Sequence, residues 1–171
     1  LNAKVHVDAR DDSGKTVLFR LAMNGENIAA QLLIDAKATV DSKNPYGNTP
    51  LHSAIEFEAE APEDDACEEE STIDHEFNED YDGLSDHRPA MMNHRAVVRV
   101  LLDAKAAIDI RNSFGFTLVH DAAGKGNGGT IQMLIDAKAD VDAKANRNQT
   151  ALHFAARNGY SGAVQVLLDA K

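Results

Sequence analysis

The chain has 171 residues, enough for one ordinary domain or a short run of repeats, and carries a formal charge of −11. It is 43% apolar but only 5% aromatic, with no Trp, so any core must be built from Leu, Ile, Val and Ala, which suits helices packed in thin layers. The single cysteine, Cys67, excludes an internal disulfide and fits a reducing, cytoplasmic setting, while the lack of a long apolar run or secretory signal speaks against membrane insertion.

The negative charge is local. Residues 56–90 hold fifteen acidic residues and one basic residue, Arg88, a net −14 that leaves about +3 for the rest of the chain. The acidity therefore belongs to one segment, and nothing in either part points to a nucleic-acid partner.

In chain order, residues 1–10 read as the tail of a repeat unit. Leu1-Asn2-Ala3-Lys4-Val5-His6-Val7-Asp8 matches the stretch from Leu134 onward with one residue fewer. This opening, and a last helix without a polar cap, are expected of an interior slice of a longer array. A unit at 11–43 follows, a second at 44–110 interrupted by an insertion at 57–91, a third at 111–143, and a truncated fourth at 144–171. The string Asp-Ala-Lys marks them at Asp35, Asp103, Asp136 and Asp169. Thr16, Thr49, Thr117 and Thr150 stand 33, 68 and 33 residues apart, so the middle interval is one period plus the insertion.

Each unit has the same local grammar. A turn ends in Gly14, Gly47, Gly115 or Asn148, residues that accept positive φ at low cost. The threonine two residues later is a helix N-cap, and Pro50 takes the favoured first helical position. Short helices are expected at 18–22, 51–55, 119–123 and 152–156, stopping at Gly25, Gly126 and Gly159, with Asn93 in the equivalent place after the insertion. Second helices show apolar stripes at Val98, Leu101 and Leu102; Ile131, Leu134 and Ile135; and Val164, Leu167 and Leu168. The Gly126-Asn127-Gly128-Gly129 run weakens the start of one of them, making the third unit the least stable by expectation.

Thr49-Pro50-Leu51-His52-Ser53-Ala54 and Thr150-Ala151-Leu152-His153-Phe154-Ala155-Ala156 resemble the ankyrin signature T-P-L-H-x-A-A. Thr117-Leu118-Val119-His120-Asp121-Ala122-Ala123 is a looser copy, and Thr16-Val17-Leu18-Phe19 looser still. The chain departs from that pattern in placing Lys37, Lys105 and Lys138 where the family usually has glycine. The resemblance implies an all-α fold, an ankyrin-type α-solenoid of helix-turn-helix repeats joined by β-hairpin-like turns, here with one long acidic loop insertion. It also implies that His52, His120 and His153 tie neighbouring loops by hydrogen bonds. By the same resemblance the function is protein binding, as an adaptor, scaffold or regulatory region of a larger intracellular protein. The alternatives are the substrate-recruiting segment of a multidomain enzyme and a calcium-responsive binding module working through the acidic insertion.

Ankyrin arrays bind through hairpin tips and inner helices on their concave side. The corresponding positions here single out Tyr46, Asn48, Phe114, Phe116, Arg147 and Gln149 as partner-binding residues, with Met23, Asn24, Arg157 and Asn158 on the inner helices. Exposed aromatics and Arg are common hot-spot residues, although Phe114 and Phe116 also suit packing between loops. No nucleophile stands with a base in a recognisable pattern, and no dinucleotide or P-loop spacing occurs, so neither enzyme activity nor a cofactor is expected. Asn78, Asp80, Asp82, Gly83 and Asp86 have the spacing of a calcium loop, but Pro89 stands where a bidentate Glu belongs, and a solvated acidic loop is the simpler reading. Asp80-Tyr81-Asp82 resembles the D-x-D of some sugar transferases, a pattern that chance supplies in so acidic a stretch. Cys67, His75, His87 and His94 match no common zinc spacing. The insertion is then either a tolerated disordered loop or an acidic arm that attracts a basic partner or covers the array's own surface.

Overall fold

The computed structural model describes residues 6–58 and 93–170. Among them eight α-helices form four consecutive pairs: α1 (Val17–Met23) with α2 (Asn27–Asp35), α3 (Pro50–Phe57) with α4 (His94–Asp103), α5 (Leu118–Gly124) with α6 (Gly128–Asp136), and α7 (Ala151–Asn158) with α8 (Ser161–Asp169). The helices are short because their sequences are bounded on both sides. Thr16, Thr49, Thr117 and Thr150 each hold an extended backbone at the N-cap. Gly25, Gly126 and Gly159, at φ 71°, 76° and 77°, turn the chain after α1, α5 and α7.

Odd-numbered helices stack on one another in an inner layer, and even-numbered helices in an outer layer. Between the layers lies one continuous core. Leu18, Leu51, Ile55, Val97, Val98, Leu101, Leu118, Ile131 and Leu134 are all excluded from solvent. Only one isolated antiparallel bridge, Arg10 to Thr16, marks the turns as hairpin-like among the described residues. The solenoid of helix pairs that the resemblance implies is the fold observed.

The insertion leaves the second pair intact. α3 and α4 pack together like the other pairs, although residues 59–92 separate Glu58 from Asn93. Phe57, placed inside the insertion by the sequence pattern, belongs to α3 instead. Glu58 is buried; it accepts hydrogen bonds from Arg95 Nε at 3.0 Å and Thr130 Oγ1 at 2.6 Å, joining α3 to α4 and α6. Asn93 has φ −83° and caps α4 by accepting from Ala96 N at 3.1 Å, so it does not repeat the turning role of Gly25. Disorder of the insertion, and the tail reading of residues 1–5, lie outside the described residues.

Two local deviations have physical reasons. Gly129 is helical, and a Cβ there would stand 3.2 Å from Arg95 Cζ; glycine makes room for the guanidinium that holds Glu58. Lys37, Lys105 and Lys138 adopt φ 68°, 62° and 72° after the outer helices, a left-handed conformation that costs an L-residue roughly 1–2 kcal/mol. They do the conformational work of the glycine they replace, at that cost.

Replacing all three lysines with Gly is expected to raise the free energy of unfolding by about 1–3 kcal/mol, read from the urea midpoint. Excision of residues 59–91 should shift stability by less than about 1 kcal/mol, because the length of chain between two fixed ends enters the closure cost only weakly. Glu58→Ala, by contrast, is expected to lose about 2–3 kcal/mol in the same measurement, since it leaves Arg95 and Thr130 without their acceptor.

Candidate protein-binding groove

The hairpin tips are shaped by one side-chain oxygen each. Asp11 Oδ1 accepts the backbone N–H of Ser13 and Lys15 at 2.9 and 3.0 Å. Asn44 Oδ1 does the same for Tyr46 and Asn48, at 2.9 and 3.0 Å, and Asn112 Oδ1 for Phe114 and Phe116, both at 3.0 Å. These residues occupy one repeat position, and the contact is the usual way a short polar side chain shapes a turn. The Asp11 carboxyl is held well below the ordinary carboxylate range, first by the Ser13 hydroxyl and then by the Lys15 amide. In the fourth unit that position is Ala145. Without the acceptor, the tip closes as a single 3-10 turn, with Arg147 forced to φ 65° beside Asn148 at 57°.

Tips are also tied to one another. Tyr46 O accepts from Ser113 N at 2.9 Å and Ser113 Oγ at 2.7 Å. Arg10 donates to Lys43 O at 2.8 Å, and Arg111, two units on in the same position, to Lys144 O at 2.6 Å. Arg20, at the start of the array, pairs with Asp11 at 2.6 Å.

Behind the tips, each signature histidine bonds the N-cap threonine of its own unit, and the tie to a neighbouring loop that the resemblance implies is made by His120. The backbone N–H of Thr49, Thr117 and Thr150 donates to Nδ1 of His52, His120 and His153 at 3.3, 3.2 and 3.2 Å. Because an N–H must donate there, Nδ1 is the acceptor nitrogen and the proton sits on Nε2. His120 Nε2 then donates to Gln149 O of the next unit at 3.1 Å. His52 Nε2 has no hydrogen bond of good geometry, although the carbonyls of Ile110 and Phe116 favour its charged form. Burial pushes the His52 ring down to about 4, and it lowers His120 in the same direction. His94 is buried with Nε2 2.9 Å from Met23 O, a structural role that removes it from a zinc set. Cys67, His75, His87 and the Asn78 to Asp86 calcium spacing, with its D-x-D, lie outside the described residues.

Between tips and inner helices run two adjoining cavities of about 300 and 360 Å³ that share Asn48, Glu56 and Phe114. Tyr46 is 62% exposed and Phe114 57% exposed, and both line this groove. Phe116 also lines it but is half-buried, with its ring 5.1 Å from Phe154 edge-on and 6.0 Å from His120 in a stack. Phe114 therefore offers its ring to solvent, while Phe116 packs against its neighbours. Asn48 lines both cavities, and its Oδ1 is buried without a hydrogen-bond partner. Arg147 and Gln149 are not among the lining residues: Arg147 is exposed on the altered fourth tip, and the Gln149 carbonyl serves His120. Of the inner-helix set, Met23 lines the groove, Arg157 lies 5.2 Å from the Phe154 centroid, and Asn158 donates to Gly124 O at 2.9 Å.

The groove contains more than the tip positions foretold. Six of the nine aromatic residues in the chain line it, namely Phe19, Tyr46, Phe57, Phe114, Phe116 and Phe154. Glu56 of α3 and Asp121 of α5 face the same cavity, with Lys125 beside them. Burial, and then the nearby Glu56 charge, push the Asp121 carboxyl up to about 7. The signal for these residues was present in the repeat itself: Ser53, Asp121 and Phe154 are the variable residue of the signature, and Glu56 and Arg157 follow three residues later on the same helix face.

The two perturbed groups act on stability with opposite sign. Folded Asp121 keeps its proton to about pH 7, whereas the unfolded chain releases it near 3.8, so its cost grows as pH rises across that window and is complete above it. Folded His52 refuses a proton until about pH 4, whereas the unfolded chain takes one below 6.5, so stability falls on acidification between those values. Asp121→Asn is thus expected to be more stable by about 1–3 kcal/mol at about pH 8, with the gain vanishing near pH 4. Urea unfolding across that range should show the variant losing stability toward acid more steeply than the parent.

A family model described as ankyrin repeats (three copies) matches residues 1–63 and 87–171, on either side of the insertion. No curated protein matches the chain. The matched residues contain all four threonine caps, the histidine bonds and the paired helices described above, and on that ground the chain belongs to the ankyrin-repeat family.

Proposed function

We propose that the chain is a protein-recognition module that holds its partner in the groove between hairpin tips and inner helices, serving as an adaptor, scaffold or regulatory region. Ankyrin repeats are in general protein–protein interaction modules. The observation that carries the assignment of the face is the placing of the aromatic residues. A chain that is only 5% aromatic lines one groove with six of its nine aromatic rings, of which Phe19 and Phe154 are also buried in the core. Tyr46 and Phe114 leave most of their surface to solvent there, where burial under a partner would supply binding energy.

Among the described residues, no helix is long and apolar enough to cross a membrane. A reducing, cytoplasmic setting suits the lone Cys67, and a basic partner would also meet the fifteen acidic residues of 56–90.

The test is affinity capture with the chain and with a Tyr46→Ser/Phe114→Ser variant. The variant should fold with a loss under about 1 kcal/mol, because both rings are exposed, yet bind the captured partner at least about tenfold more weakly. Phe116→Ser should instead cost about 2–3 kcal/mol of stability, because its ring packs on Phe154 and His120. A partner held equally well by the double variant would place recognition on another face.

A further inference from the structure

The charges in the groove are arranged unevenly. At its two ends, cations of the chain already sit near rings: Lys15 Nζ lies 5.7 Å from the Phe19 centroid, and Arg157 Cζ lies 5.2 Å from that of Phe154. The middle has the reverse charge. There Glu56 and Asp121 face one cavity, and the ion pairs found among the described residues, Arg20 with Asp11 and Arg95 with Glu58, include neither of them. Lys125 stands exposed on the same wall and forms no ion pair with either, its charge offsetting only part of the effect of Glu56 on Asp121. Glu56 is exposed and Asp121 half-buried, and two carboxylates close enough to repel are a site that a third party's cation would relieve. Asp121 already responds by holding its proton up to about 7.

Ring faces nearby add to that preference. Phe114, Phe116 and Phe154 line the same cavity, and aromatic faces attract ammonium and guanidinium groups most when these are out of water. The cavity of about 300 Å³ is at the lower edge of the usual range for small-ligand sites, a volume suited to one long side chain. It continues into the neighbouring cavity of about 360 Å³ past Asn48, whose buried Oδ1 lacks a donor. A peptide laid along the groove supplies such a donor from its backbone.

We propose that the groove binds an extended peptide segment by seating a lysine or arginine side chain between Glu56 and Asp121, against the rings of Phe114 and Phe116. The apolar neighbours of that residue lie on Tyr46 and Phe57, and Asn48 Oδ1 takes a peptide N–H. An anionic segment is turned away by the same carboxylates. The proposal rests on the reading of this groove as the protein-binding face, and it adds the chemistry of the occupant.

The probe is a displayed library of short random peptides, selected on the intact chain and then measured singly against it. Two variants accompany it, Glu56→Gln/Asp121→Asn and the Tyr46→Ser/Phe114→Ser pair, each checked for folding by thermal melting. The amide variant removes a repulsion, so it should melt no lower than the parent. Selected peptides are expected to share a Lys or Arg flanked by apolar residues, and to bind the amide variant at least about tenfold more weakly, with the difference shrinking in high salt. Replacing the shared Lys or Arg in the peptide by norleucine should erase that difference. Peptides that need the Tyr46 and Phe114 rings but carry no basic residue, or that bind the amide variant equally well, overturn the charge assignment and leave the groove standing. Peptides indifferent to both variants, or a library that yields none, overturn the proposal together with the reading of the face.

Discussion

Leu51, Leu118 and Ala151 have no solvent exposure because each inner helix lies against the next, α1 on α3, α3 on α5 and α5 on α7. Helices of seven to ten residues are too short to be stable alone in water, and a single pair cannot enclose its own apolar stripe. Stacking is what makes each unit a structure at all. The same faces lie open at the two ends of the stack: Ile28 and Leu32 of α2 are 75% and 65% exposed, and Leu168 of α8 is 47% exposed. Inside the stack, Val100 and Met133, which repeat the position of Leu32, are half-buried. Register between units also sets the tips side by side, which is how Ser113 reaches Tyr46 O and how two cavities merge into one groove.

Much of this was legible in the sequence because it rests on residues that act locally. The threonine caps, the glycine turns and the apolar stripes each need only their near neighbours, and their period of 33 residues gave the fold once four copies were seen in register. The tip anchors were harder to read. Asp11, Asn44 and Asn112 differ in type and stand apart from the signature, and only the geometry of their two backbone hydrogen bonds unites them. Arg147 stands at the tip position of Tyr46 and Phe114, on a turn that Ala145 leaves without the side-chain anchor of the other three. Asn93 matched Gly25 by counting, yet capping α4 is a better use of its side chain than positive φ. Glu58 could not be placed, because its partners Arg95 and Thr130 lie across the insertion and a further unit.

The groove shows how a repeat can be specialised without altering its frame. Most of the lining comes from positions that the fold leaves free: the variable signature residue, the inner-helix residue three places later, and the tip residues next to the turn glycine. These can become rings or carboxylates while Leu18, Leu51 and Leu118 stay in the core. The cost appears as opposed titrations. A buried neutral histidine favours neutral pH, whereas the half-buried Asp121 favours acid, so the groove and the frame behind it draw on stability in different directions.

Glu58 closes the second helix pair before the chain departs, and Asn93 starts α4 with its own cap on return. Departure and return are thereby fixed independently of whatever lies between them. That edge of the array is in effect a socket: a fluorescent protein, an affinity tag or a second binding domain spliced between these two residues would meet helix ends already closed by their own contacts.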